Sequence, residues 1–122
     1  MAPISYKEAL LPNIESLQET RRMAEASGNA VVAEELGQRI DSVNSFGDRT
    51  VTVLAPRVGS DPGILGGSPV ILGTRLPIWV LLGRMAAGED LQTIQGDFPY
   101  VTAEDVRDAL KVATNILRNY EQ

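Results

Sequence analysis

Carboxylates, arginines and a set of glycines are the chemically capable residues of this chain, because histidine and cysteine are both absent from its 122 residues. That absence removes the commonest general base, the commonest metal ligands and every thiolate nucleophile. A carboxylate, lysine or tyrosine site would need a convergent set, and the spacing shows none. The expectation is a non-catalytic protein with no metal and no cofactor. Asp61, Asp90, Asp97, Glu104, Asp105 and Asp108 do crowd the second half of the chain. Paired carboxylates can exchange protons, and oxygen clusters can hold a hard cation. No EF-hand spacing is present, however, and Asp90, Glu104 and Asp105 fall where helix starts favour negative charge.

Gly66-Gly67 followed by Gly73-Thr74-Arg75 invites a phosphate-loop reading. It fails because no Gly-Lys-Ser/Thr follows and no helix starts directly after the glycine pair. Backbone geometry accounts for these residues instead, since glycine permits positive φ in tight turns. Arg75, set between the Gly-Thr bend and Leu76-Pro77, is expected to bond to backbone or carboxylate and so to hold the fold. Arg107, Lys111, Asn115 and Arg118 recur at intervals of four, four and three, forming a basic stripe along a predicted last helix. The stripe faces phosphates or is an ordinary solvated helix face, and Glu104 and Asp108 dilute it. With a net charge of −5 the chain does not attract polyphosphate as a whole, so any DNA contact is weak and local. Trp79, the sole tryptophan, anchors a partner surface or plugs the core or a dimer seam.

The elements that must position these residues are mostly helices. Ser5 and Glu8 have the form of a capping box. Pro12 implies either a short lead-in ending near Leu11 or a kinked helix, with a firmer helix running from Pro12 to about Ala26. Gly28 and Asn29 end that helix and cap the next, which runs from about Ala30 to Ser45 and stops at Gly47. Leu10, Ile14 and Leu17 make one apolar seam, and Val32, Leu36, Ile40 and Val43 make another. Arg49 to Val53 alternates like a strand. Residues 56–76 read as turns and short strands, with Val70-Ile71-Leu72 a strand candidate. Three helices follow: one from Pro77 closed by Gly88, a short one capped by Asp90, and a last one opened by Thr102 and Asp105 and running to about Asn119. The inward positions of the last helix are read as Val106, Leu110, Ala113, Leu117 and Tyr120, at four, three, four and three.

The stretch from Asp61 to Pro77, with its core Gly66-Gly67-Ser68-Pro69-Val70-Ile71-Leu72-Gly73-Thr74-Arg75, resembles the family 433 domain of unknown function. Members of that family include antitoxins of the VapB type. The sequel fits as well: a helix ending Ala87-Gly88, then Leu91 to Ile94, then Phe98-Pro99-Tyr100-Val101-Thr102-Ala103-Glu104-Asp105-Val106. The resemblance covers residues ~58–115 and implies a homeodomain-like helix-turn-helix, dimerisation, and in some members a PIN-like ribonuclease toxin as partner. Members commonly carry a basic residue after the glycine pair and another before the third glycine. Here Ser68 and Leu72 stand there, which removes cations that a phosphate contact would use.

The expected fold is mainly α: a homeodomain-like helix-turn-helix three-helix bundle (residues 48–122), preceded by short strands and by an N-terminal helical hairpin (residues 1–47). The expected function is an antitoxin-like, non-catalytic regulator in the cytoplasm. It forms a homodimer or larger assembly and binds a partner protein such as a ribonuclease toxin, with operator DNA as a weak further ligand. A protein-binding adaptor or accessory subunit without DNA binding is the alternative. No apolar run approaches the ~20 residues of a membrane span. A two-helix hairpin cannot bury two seams alone, so it docks on its own domain, a sister subunit or a partner. It lies outside the recognised domain, so the hairpin is expected to be dispensable for folding and to select the partner through Leu10, Ile14, Leu17, Leu36 and Ile40, with Trp79 beside them.

Overall fold

A computed structural model describes residues 2–46 and 48–120. Gly47, read above as the stop of the second helix, lies outside the described residues. The chain is mainly helical with a small four-stranded antiparallel sheet in the order β1-β2-β3-β4. The strands are β1 (Ile4–Ser5), β2 (Thr50–Ala55), β3 (Val58–Ser60) and β4 (Val70–Ile71). The helices are α1 (Tyr6–Ala26), α2 (Ala30–Ser45), α3 (Ile78–Ala86), α4 (Leu91–Asp97) and α5 (Ala103–Tyr120), and a 3-10 turn spans Leu65–Gly67.

Local chemistry explains most boundaries. The Ser5 hydroxyl accepts the Glu8 amide at 3.1 Å, so α1 begins at Tyr6 and continues through Pro12 as one helix. Tertiary packing thus overrides the break that Pro12 suggests. Its neighbour Asn13 donates to the Pro56 carbonyl at 2.7 Å and ties this turn to the end of β2. Gly28 takes φ +79 and Asn29 accepts the Val32 amide, which closes α1 and opens α2. Asp90 accepts the Thr93 amide at 2.8 Å to start α4. Thr102 and Asp105 cap each other reciprocally, at 2.8 and 3.3 Å, to start α5.

Alternation along the strands sends successive side chains to opposite faces of the sheet. Val51, Val70 and Leu72 pack with Tyr6, Ala9, Leu10, Leu17, Leu36 and Ile64 in one core. Val58 and Ile71 pack with Leu76, Ile78, Leu81, Ile94, Val101, Ala109 and Val112 in a second. The sheet is therefore a partition, with the α1–α2 hairpin on one side and α3–α5 on the other. The hairpin is not a separate unit at residues 1–47, since it covers a sheet face that would otherwise meet water. Val51 of β2 pairs with Ile4 of β1, which adds a backbone link between the same two segments.

Candidate functional site

A buried ion network joins the hairpin to the C-terminal helices. Arg39 of α2 grips Asp105 of α5 in bidentate fashion, at 2.6 and 2.8 Å, with both side chains essentially unexposed. Two further N–H groups, on Nε and Nη1, donate to the carbonyls of Leu72 (3.0 Å) and Tyr100 (2.9 Å). Arg57, in the β2–β3 turn, approaches Asp105 at 3.4 Å and donates to Ser16 at 2.8 Å, while its backbone amide donates to Asp108 at 2.9 Å. Burial lowers the pKa of Arg57 and the Asp105 charge opposes that shift. A carboxylate gripped by two arginines has its oxygens engaged as hydrogen-bond acceptors. It is poised to fasten α2 to α5, not to transfer a proton. Arg49, half-exposed, holds the buried Asp61 carboxyl below its usual range through a 2.7 Å bond. Arg84 does the same to Glu89. No group of three or more acidic side chains among the described residues is arranged to hold a metal ion.

The glycine motif does structural work. Gly66, Gly67 and Gly73 all have positive φ. Gly73 sits so close to α2 that a Cβ there would meet Arg39 Cγ at 3.0 Å and Ser42 Oγ at 3.1 Å. Its amide donates to the Tyr6 hydroxyl at 3.3 Å. Thr74 donates its hydroxyl proton to the Ile71 carbonyl and accepts the Leu76 amide. The Pro69 carbonyl accepts the Ile78 amide at 2.9 Å, which fixes the start of α3. Arg75 departs from the expectation. Its side chain is exposed, and among the described residues it makes no hydrogen bond or ion pair. The bend is held by Thr74 and Gly73, so Arg75 is spare.

The residues expected to select a partner divide sharply. Leu10, Leu17 and Leu36 are fully buried in the chain's own core, and Ile14 and Ile40 pack against it half-buried. A partner cannot reach these seams while the sheet occupies them, which corrects their assignment as docking residues. Trp79 is the reverse: it is 68% exposed on α3 and fills no core.

α5 also differs from its expected orientation. The residues facing the body are Asp105, Asp108, Ala109 and Val112. Val106 and Ala113 are only half-buried, and Leu110, Leu117 and Tyr120 are exposed at 46%, 63% and 85%. Val106 still packs against the core, but Leu110, Leu117 and Tyr120 point away from it, and the core is sealed partly by carboxylates bonded to Arg39 and Arg57. Periodicity found the apolar stripe but could not find these pairings, because Arg39 lies far from Asp105 in sequence. Arg39's place one turn from Leu36, on an otherwise buried helix face, is the one sequence signal for it. Arg107, Lys111, Asn115 and Arg118 do share one exposed face, with Leu110 and Thr114 between them. Lys111 lies 3.9 Å from Asp108. At the opposite end, Glu104 shares a cleft with Glu15, Glu19 and Arg22 of α1, and since Arg22 pairs with Glu19 the start of α5 is only mildly acidic.

No described helix is long and apolar enough to cross a membrane. Residues 58–113 match the family model described as protein of unknown function, DUF433. Uncharacterized protein y4eO of Sinorhizobium fredii is 40% identical over 50 residues, which is 41% of this chain and 23% of that protein. The chain thus spans under a quarter of the length of this curated relative. A crystal structure of a DUF433 member protein from Anabaena variabilis covers 73% of this chain and 84% of its own, at 25% identity and a TM-score of 0.44. The matched segment runs from β3 through the glycine motif to the middle of α5, and residues 58–113 are a domain of the DUF433 family, whose function is unknown.

Proposed function

We propose that this chain is a non-catalytic, antitoxin-like regulatory protein that acts as a homodimer and binds a partner protein through a surface centred on Trp79. The observation that carries this reading is the exposure of the sole tryptophan on α3 while both hairpin seams are buried. Large aromatics give up much water-exposed area on docking at little entropic cost and dominate interface energies. The family resemblance supplies the class of partner, a PIN-like ribonuclease, and a sequence without His or Cys suits a binding role. In this reading α4, its turn and α5 form the helix-turn-helix. The test is titration of a PIN-like ribonuclease encoded beside this gene with the purified chain. Stoichiometric loss of RNA cleavage is expected, and Trp79→Ala should weaken it at least tenfold while leaving the circular dichroism spectrum unchanged. A ribonuclease that stays fully active at micromolar excess of the chain overturns the antitoxin form and leaves the adaptor.

A second reading, operator binding, is favoured by one observation: Arg107, Lys111, Asn115 and Arg118 lie together on an exposed face. The mildly acidic cleft of Glu15, Glu19 and Glu104 opposes entry of the start of α5 into a groove, so contact runs through the later turns and is weak. The double change Arg107→Glu and Lys111→Glu should abolish duplex retention and flatten its salt dependence. Retention that survives the double change makes the stripe a solvated face.

A further inference from the structure

Between the later turns of α2 and the glycine bend lies a cleft of about 340 Å³, lined by Glu35, Gln38, Phe46, Gly73, Arg75 and Tyr100 among others. Neither Trp79 nor the basic stripe of α5 lines it, so it is separate from both surfaces proposed above. The bend beneath Arg75 is fixed. The Gly73 amide bonds to the Tyr6 hydroxyl at 3.3 Å, the Thr74 amide bonds to the Ile71 carbonyl at 3.1 Å, and the Ile71 amide bonds to the Leu76 carbonyl at 3.0 Å. Arg75 therefore leaves a backbone pinned on both sides, yet its guanidinium is exposed and makes no bond among the described residues. Asp61, which feels the Arg75 charge, is already taken by Arg49 at 2.7 Å and by the Gly63 amide at 2.8 Å. Arg39, which also lines the cleft, is engaged by Asp105 and two carbonyls.

We infer that this cleft binds a small zwitterion of the free α-amino acid type, with its carboxylate on Arg75, its ammonium on Glu35 and an apolar side chain against Phe46. The charges select that class. Glu35 is half-buried, opposite in sign to Arg75, and forms no ion pair among the described residues. A ligand carrying both signs satisfies both groups, whereas an anion such as phosphate meets Arg75 and is repelled by Glu35. A planar guanidinium also matches a carboxylate in bidentate fashion. Phe46 is stacked on Tyr6 with ring centroids 4.4 Å apart, so it stands as a fixed apolar wall. The Gln38 amide and the Tyr100 hydroxyl, also without a side-chain bond among the described residues, supply neutral hydrogen bonds. Burial pushes the Tyr100 phenol up, so it remains a donor at neutral pH. The volume is near the lower end, ~300 Å³, of clefts that hold small ligands, which suits one small molecule.

The inference is independent of the partner and dimer readings, and its test uses the full chain alone. Free amino acids at millimolar concentration, L-phenylalanine foremost, are titrated calorimetrically and scored by the thermal midpoint, which rises when a ligand binds only the folded state. L-Phenylalanine should bind, while phenethylamine, which lacks the carboxylate, and 3-phenylpropionate, which lacks the ammonium, should each bind about tenfold more weakly or less. Arg75→Ala and Glu35→Gln should each weaken L-phenylalanine by about tenfold or more. Both should keep the circular dichroism spectrum, because neither side chain bonds to the rest of the described chain. Absence of binding by every common amino acid would overturn the inference. Equal binding of 3-phenylpropionate and L-phenylalanine would overturn the zwitterion and leave a simple anion site. Binding untouched by Arg75→Ala would overturn the placement in this cleft.

Discussion

Asp105 is the residue on which the most elements converge. It caps α5 through the Thr102 amide, takes both terminal nitrogens of Arg39, and lies within reach of Arg57. Removing one member of a buried ion pair costs ~3–5 kcal/mol, because the partner charge stays behind without compensation. Asp105→Asn keeps the volume and strands two arginines, so its unfolding free energy from urea titration should fall by an amount in that range. Glu104→Gln, one residue earlier and partly solvated, should shift it by less than ~0.5 kcal/mol. A comparable effect of the two would show that the network contributes no more than surface charge. The Thr102–Asp105 cap was legible in the chain as a local pair. The Arg39–Asp105 pair was not, since it depends on α2 and α5 meeting across the edge of the sheet.

At the scale of elements, the hairpin is the correction of most consequence. Its helices, its turn at Gly28 and Asn29, and its two seams all follow from local spacing. What the seams pack against does not. Strands β2 and β4 turn Val51, Val70 and Leu72 toward α1 and α2, and the hairpin supplies Tyr6, Leu10, Leu17 and Leu36 in return. Deleting residues 1–47 would also remove Arg39 and leave Asp105 with Arg57 alone. The truncated chain is therefore expected to lose cooperative unfolding and to be digested rapidly by protease. A sharp thermal transition in residues 48–122 alone would contradict this and restore the hairpin as an appendage.

For the whole molecule, the proposed dimer ties stability to concentration. A partner that binds only the folded state adds stability by mass action, so the thermal midpoint of the chain should rise as its concentration increases. A midpoint that stays flat over that range would count against the dimer.

The sequence by itself determined the helical class, the caps at Ser5, Asn29, Asp90 and Thr102, the glycine bends, and the resemblance of residues 58–115 to a known domain, because each rests on neighbours a few residues apart. Only the tertiary structure decided which apolar stripe is core and which is surface. The stripes of α1, α2 and α5 are all apolar runs at helical spacings of three and four, and hydrophobic burial is non-directional. The difference lies in the sheet, whose two faces are used up by the hairpin and by α3–α5 packed through Ala109 and Val112. That leaves Leu110, Leu117 and Tyr120 exposed among the described residues.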